Sequence, residues 1–139
     1  MDIEGSLGFI IGSVNTKMKN NLAKALKPYN VTTEQWALLI RLWRRDGVTQ
    51  KELSERSLKD QPTTARILDK LEKRALVYRR ANPEDRRAFQ VFLTEEGRNL
   101  RTALTASAQH SLEESLQGLT EDERVQLKKL LNKIIATVN

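Results

Sequence analysis

Two neighbouring segments between positions 60 and 93 carry the residues best suited to chemistry, and that chemistry is the binding of a polyanion. The first segment presents polar and basic side chains at helical spacing: Gln61, Pro62, Thr63, Arg66, Lys70 and Lys73. The second is a turn that carries Arg86 and Arg87 side by side. Basic side chains bind phosphates, and arginine or glutamine can also pair with guanine or adenine edges. The pattern favours double-stranded DNA as the partner.

The first segment is predicted to be a helix over residues 61–75 with one buried face. Its apolar positions follow the i, i+3, i+4, i+7 spacing of such a face: Thr64, Ile67, Leu68 and Leu71. Asp60 is the expected N-cap, and Pro62 fits the first turn, where its missing N–H costs nothing. A short helix over residues 50–57 should precede it, with Thr49 and Glu52 at capping-box spacing. Two such helices joined by a tight turn are typical of a helix-turn-helix.

The second segment is predicted to be a β-hairpin behind this helix pair. Residues 77–81 and 88–93 have strand-like composition and flank the turn at residues 82–87, while Val48 fits a minimal third strand. A hairpin in this position makes the fold a winged helix-turn-helix. Arg79 and Arg80 on the first strand, like Lys70 and Lys73, are expected to contact the DNA backbone.

Composition sets the limits on class and location. The 139 residues amount to one domain, or to one domain with appended helices, and the net charge of +6 with a pI near 9.8 favours an anionic partner. Cysteine is absent, His110 is the sole histidine, and no phosphate-cradling glycine loop occurs, so we expect no catalytic residues, no metal and no cofactor. No apolar run is long enough to span a membrane and the amino terminus lacks a secretory signal, which predicts a cytoplasmic protein.

Long helices are predicted on both sides of this region. Residues 6–26 have one apolar stripe and are predicted to form a helix that Pro28 ends. A second helix follows, with Thr32 and Gln35 at capping-box spacing. After the hairpin, one long helix should run from Thr94 to Gly118, and a last apolar helix should follow. Because these helices offer more apolar surface than a small monomer needs, we expect a homodimer.

The segment Leu68–Arg98, LDKLEKRALVYRRANPEDRRAFQVFLTEEGR, resembles the MarR family of bacterial transcription regulators. The similarity lies in the recognition helix, the D-R-R wing tip and the L-T-x-x-G-R start of the next helix, and the order of elements extends it over the chain. The resemblance implies a mainly α fold with a small β-hairpin wing: one domain over residues 1–139, a winged helix-turn-helix at 32–94, and dimerisation helices at 5–28 and 95–138. The chain departs from the family at Ala75, usually glycine, and in the turn at Leu58.

The resemblance also implies roles for individual residues. Gln61, Pro62, Thr63 and Arg66 would face the major groove, whereas Arg86 would enter the minor groove next to Arg87 with Asp85 forming an orienting ion pair. The implied protein is a dimeric repressor on a pseudo-palindromic operator, released by a small aromatic or phenolic ligand. Four aromatic residues are candidates for lining the ligand pocket, although each also fits a core position: Phe9, Trp36, Trp43 and Phe92.

Two alternatives remain open at this level. A winged-helix module can present its basic face to an acidic protein, and a regulator of this type can act as an activator without a ligand. The arginine-tipped wing favours DNA, because a protein adaptor needs no such tip. An enzyme is the least supported class.

Overall fold

The computed structural model describes residues 2–138 and shows a helical chain with one small antiparallel sheet. Helix α1 spans Leu7–Leu26 and is followed by a 3-10 turn at Lys27–Tyr29 that contains Pro28. Helix α2 spans Thr33–Arg44, and its predicted capping box is present, with the Gln35 N–H donating to Thr32 Oγ1 over 3.0 Å. The predicted arrangement of the first two helices is therefore confirmed.

The helix-turn-helix consists of α3 at Gln50–Arg56 and α4 at Gln61–Lys73. The Thr49 hydroxyl caps α3 by accepting from the Glu52 N–H, but the Glu52 carboxylate does not return a bond to the Thr49 backbone, so the expected capping box is one-sided. Leu58 in the connecting turn has φ 55° and a side chain that is almost wholly exposed. Its backbone takes the left-handed conformation that glycine tolerates best.

The sheet has three strands: β1 at Val48–Thr49, just before α3, and β2 at Val77–Ala81 and β3 at Phe89–Leu93, after α4. Strand β2 pairs along its whole length with β3, and β1 adds the predicted short third strand on the other side of β3, so that the strand order is β1-β3-β2. Alternate residues of the hairpin, Val77, Val91 and Leu93, are buried against the helices. The hairpin is therefore anchored at its base and exposed at its tip.

One core unites the sheet with α2, α3 and α4, and Leu104 adds to it from a later helix. It is made of aliphatic side chains that are fully or almost fully buried, among them Leu38, Leu39, Leu42, Leu53, Ile67, Leu68, Leu71 and Leu104. The predicted inner face of α4 is confirmed, because Thr64 is buried with its three aliphatic partners. This packing fixes which side of α4 remains available to a ligand.

The long helix predicted after the wing is wrong as a continuous element. The chain instead forms α5 at Glu95–Asn99 and α6 at Arg101–Ser115, with Leu100 between them. The Gly97 carbonyl, which would accept from Arg101 in an unbroken helix, accepts instead from the buried Trp43 indole N–H over 2.8 Å. A contact from α2 thus interrupts the backbone hydrogen-bond ladder.

The terminal helices leave apolar faces uncovered in the single chain. Helix α7 spans Glu121–Thr137 and has no buried residue, while α1 buries only Leu26. The exposed apolar residues on these two helices include Leu7, Phe9, Ile10, Ile11, Val14, Val125, Leu130, Ile134 and Ile135. No helix within residues 2–138 is both long enough and apolar enough to cross a membrane.

Ala75 forms the joint between α4 and the wing. Its φ of 59° is left-handed, and the turn is closed by a bond from the Thr94 hydroxyl to the Ala75 carbonyl over 2.6 Å. In this conformation the Cβ atom comes too close to the following backbone carbonyl oxygen, which destabilises the folded chain by roughly 1–2 kcal/mol. The chain therefore tolerates strain at the position where the family usually has glycine.

Replacing this residue by glycine should relieve the strain. We expect Ala75→Gly to raise the free energy of unfolding by about 1 kcal/mol, because the lost Cβ contact outweighs the added entropy of the unfolded chain. Urea denaturation at one fixed protein concentration measures the change. Ala65→Gly inside α4 is the matched control and should lower stability by roughly the same amount. Equal losses in both variants would contradict the strain at Ala75.

Candidate nucleic-acid interface

The leading end of α4 is fixed by its cap. Asp60 Oδ1 accepts from the Thr63 N–H over 2.7 Å, and Thr64 Oγ1 donates to the Asp60 carbonyl over 3.0 Å. Hydrogen bonds from the Thr63 backbone and hydroxyl lower the pKa of the Asp60 carboxyl. The Asp60 carboxylate thus satisfies one of the free N–H groups at the amino terminus of the helix.

Most of the predicted groove-facing residues are exposed at the leading end of α4. Pro62 and Arg66 are exposed on the side opposite the buried stripe, Gln61 is exposed in the first turn, and Thr63 is half-buried beside the cap. The two lysines predicted to contact phosphates, Lys70 and Lys73, are exposed nearer the end of the helix. The side chains predicted to contact bases therefore stand at the leading end of α4, and the two lysines stand behind them.

Glu34 contributes a contact that the sequence did not reveal. Its Oε2 lies 3.2 Å from Arg66 Nη2, so the first turn of α2 reaches a residue of the recognition helix that is 32 positions away in sequence. The Thr32–Gln35 box places Glu34 at the start of a helix but gives no sign of its partner. Only the packing of α2 across α4 brings the two side chains together.

Arg79 has a different position from the one expected of a phosphate ligand. Its guanidinium is largely buried and forms ion pairs with the Asp69 and Glu72 carboxylates of α4, with a further bond to Gln50. Burial lowers the pKa of Arg79, but the bonds to Asp69 and Glu72 outweigh it and leave the pKa raised. The structure therefore assigns Arg79 to joining the wing to the recognition helix, in place of the predicted backbone contact.

Arg80 remains available on the wing. It is exposed, and its guanidinium carbon lies 4.3 Å from the centre of the Phe92 ring. Phe92 in turn stacks on Tyr78 across the hairpin, with ring centres 5.3 Å apart. This stack supports the arginine from below and leaves its outer side free to meet a phosphate.

The wing tip holds its arginines on a turn closed by local hydrogen bonds. The Asn82 N–H donates to the Ala88 carbonyl over 2.9 Å, which closes the loop. Asp85 Oδ1 accepts from the Arg87 backbone N–H over 3.1 Å and lies 3.4 Å from Arg87 Nε. The expected orienting ion pair is thus made with Arg87 and not with Arg86. Both arginines project into solvent.

The four aromatic residues predicted to line a ligand pocket are not brought together. Trp36 and Trp43 do meet, with ring centres 5.7 Å apart, but Trp43 is buried in the core. Phe92 belongs to the wing stack, and Phe9 is mostly exposed on α1. Within the single chain the four residues belong to three separate parts of the fold and do not form one site.

A cavity of about 360 Å³ lies elsewhere, between α1, α2 and α6. Of the four predicted residues only Trp36 lines it, together with largely apolar neighbours that include Met18, Leu22, Ile40, Ala108 and Leu112. Several of these residues follow the apolar stripes of the helices. The sequence could not show that α1 packs along α6 and leaves a gap there.

The sequence and the fold are both similar to those of known proteins. The model of the MarR family matches residues 31–89. The chain is 27% identical to the organic hydroperoxide resistance transcriptional regulator of Bacillus subtilis over 94% of its length and 85% of that regulator. It superposes on a MarR mutant from E. coli complexed with operator DNA with a TM-score of 0.89 and 30% identity, covering 96% of this chain and 99% of that one. The S. aureus MepR–DNA complex gives a TM-score of 0.87 and 26% identity over 96% and 98% of the two chains.

Proposed function

The chain belongs to the MarR family, and on this premise we propose that it is a dimeric repressor of a pseudo-palindromic operator, released by a small aromatic or phenolic ligand. As a family member it is a DNA-binding transcription regulator and not an enzyme. The observation that supports the proposal is the leading end of α4, which exposes Pro62 and Arg66 opposite a fully buried stripe and Gln61 in the first turn.

These residues have distinct proposed roles in the major groove. Arg66 can donate two hydrogen bonds to the O6 and N7 atoms of a guanine, and Gln61 can pair with adenine. Pro62 and the Thr63 methyl group suit contacts with thymine methyls. Lys70 and Lys73 contact phosphates and fix the register of α4 without reading sequence.

The wing is proposed to reach the adjacent minor groove. Narrow A·T-rich minor grooves concentrate negative potential and attract arginine. Arg86 is placed in this groove by analogy, and Arg87, which Asp85 restrains, is proposed to enter beside it. Arg80 lies farther back on the strand and is proposed to contact the backbone.

The proposed dimer uses the uncovered apolar faces of the flanking helices, residues 5–28 and 95–138. Two copies of the winged helix-turn-helix at 32–94 would then meet half-sites about one helical turn apart. The exposure of apolar side chains such as Ile10, Ile134 and Ile135 in the single chain supports this interface, because contiguous exposed apolar patches mark association surfaces.

The cavity beside Trp36 is the proposed ligand site. Its volume of about 360 Å³ fits a small aromatic molecule, and its position between α1, α6 and α2 lets a ligand affect both the dimer helices and the winged unit. A ligand there could change the spacing of the two α4 helices and so release DNA.

Footprinting of bound genomic sites tests the function and defines the operator. With that operator, Arg66→Ala should cost about 1–3 kcal/mol of binding free energy and relax the base preference at one position of each half-site. Arg101→Ala, an exposed arginine on α6, is the matched control and should leave both unchanged. Absence of any sequence-specific footprint would contradict the proposed function.

Filling the cavity tests the ligand site separately. Ala108→Phe should place a ring in the space beside Trp36 and block small aromatic anions, with benzoate as the probe. We expect benzoate to weaken operator binding by the wild-type chain and to have at least a roughly tenfold smaller effect on the variant. Equal benzoate responses of the two proteins would rule out this cavity as the ligand site.

A further inference from the structure

The ion pair between Glu34 and Arg66 joins two parts of the winged helix at the proposed base-reading end. The Glu34 Oε2 to Arg66 Nη2 distance is 3.2 Å, and the two side chains are 44% and 51% exposed. Glu34 stands in the first turn of α2, whose backbone is fixed by the Thr32–Gln35 capping box. The carboxylate therefore projects from a rigid support toward a residue on the outer face of α4.

The fold gains little from this contact. Ion pairs between half-exposed side chains contribute at most about 1 kcal/mol, because water screens both charges. Arg66 also lies outside the core, on the face opposite Ile67 and Leu71. Stability therefore gives little reason for this ion pair, and its position beside the proposed base contacts is the feature to be explained.

The position of the Glu34 carboxylate is suited to hold the Arg66 guanidinium in one orientation. Arginine has five N–H donors in a planar fork, and the recorded contact engages a donor on Nη2. A guanine needs two parallel donors, which the fork can supply while one N–H remains on the carboxylate. Holding the long side chain in place before binding reduces the rotamer entropy that is lost on forming the complex.

The same carboxylate has a second effect near DNA. A negative charge at the edge of the proposed interface repels phosphates on any sequence, which weakens non-specific binding. A correctly placed guanine compensates through its contacts with the oriented Arg66, whereas another base pair does not. The orientation of Arg66 increases the ratio of specific to non-specific affinity, and the repulsion lowers the affinity for sequences that cannot compensate for it.

We propose that Glu34 is a positioning residue that orients Arg66 for one guanine and suppresses binding to other sequences. The inference rests on the proposed DNA-reading role of α4. Glu34 itself need not touch DNA, since it acts through the arginine and through its charge.

The test compares Glu34→Gln with Glu55→Gln, which removes the same charge from an exposed position on α3 that forms no ion pair within residues 2–138. Dissociation constants are measured for three duplexes: the operator, the operator changed at the base pair that Arg66→Ala identifies, and an unrelated sequence. Glu34→Gln should bind the unrelated duplex several-fold more tightly and lose roughly fivefold or more of its discrimination between the first two. Glu55→Gln should retain that discrimination.

A double-substitution cycle separates positioning from a general effect on structure. In the Arg66→Ala background, Glu34→Gln should cause no further loss of discrimination, because the oriented group is gone. Unchanged discrimination in Glu34→Gln, or an equal loss with and without Arg66, overturns the inference while wild-type operator binding stands. A wild-type chain that does not distinguish the three duplexes overturns the proposed function first and the role of Glu34 with it.

Discussion

Operator affinity is expected to fall on the order of 10³-fold when the salt concentration rises from about 50 to 200 mM. Each protomer exposes three basic side chains proposed to contact phosphates, Lys70, Lys73 and Arg80, and a dimer doubles that number. Each neutralised phosphate contributes about −0.9 to the slope of log K against log salt, so six contacts give a slope near −5. Arginines of the wing tip in the minor groove would make the slope steeper.

Fluorescence anisotropy over a salt series measures this slope. Lys70→Gln removes one contact from each protomer and should make the slope shallower by about 2 in the dimer, with similar weakening on every sequence. Lys128→Gln on α7 is the matched control for the charge change and should leave the slope as it is. Binding that does not respond to salt would be incompatible with a phosphate-gripping interface.

Gly97→Ala should destabilise the fold by about 3 kcal/mol, at the upper end of what overpacking costs. A Cβ atom at this position would lie 2.1 Å from the Leu76 backbone carbonyl oxygen and 3.2 Å from a Leu93 methyl carbon. The obstacle is backbone, which cannot rotate away as a flexible side chain can. Any shift would also strain the neighbouring left-handed Ala75 and the bond from Trp43 to the Gly97 carbonyl.

Thermal or urea unfolding at matched protein concentration measures the loss. Gly118→Ala is a suitable control, because a Cβ atom there would meet no atom within 4 Å and stability should change by less than about 0.5 kcal/mol. If Gly97→Ala were as stable as Gly118→Ala, the close approach of α5 to the Leu76 carbonyl would be wrong.

Local signals in the sequence predicted local structure well. Asp60 as N-cap, the buried stripe of α4 and the hairpin strands depend on residues within a few positions of one another, and each is confirmed. The left-handed backbone at Ala75 also follows from a local comparison with the family pattern. Such features are decided by capping, periodicity and turn geometry, which a short window contains.

Features that depend on distant partners were missed. The break at Leu100 arises because Trp43, more than fifty positions earlier, binds the Gly97 carbonyl. From the sequence, Arg79 is expected to be an exposed strand residue. In the structure it forms ion pairs with Asp69 and Glu72, because α4 and the wing pack together. In the same way, Glu34 and the cavity beside Trp36 become visible only when α1, α2 and α4 have their places in space.

The uncovered apolar side of α7 would make DNA binding by this regulator depend on the concentration of the protein. Helix α7 has 17 residues and no buried residue in the single chain, so tertiary packing contributes little to its stability there. In the proposed dimer, pairing supplies the missing burial, so each tenfold dilution removes about 1.4 kcal/mol from the assembled form. The concentration of the protein in the cell would then affect regulation. Below the concentration at which the dimer forms, the two winged helix-turn-helix units would separate, and the operator would be released without any ligand.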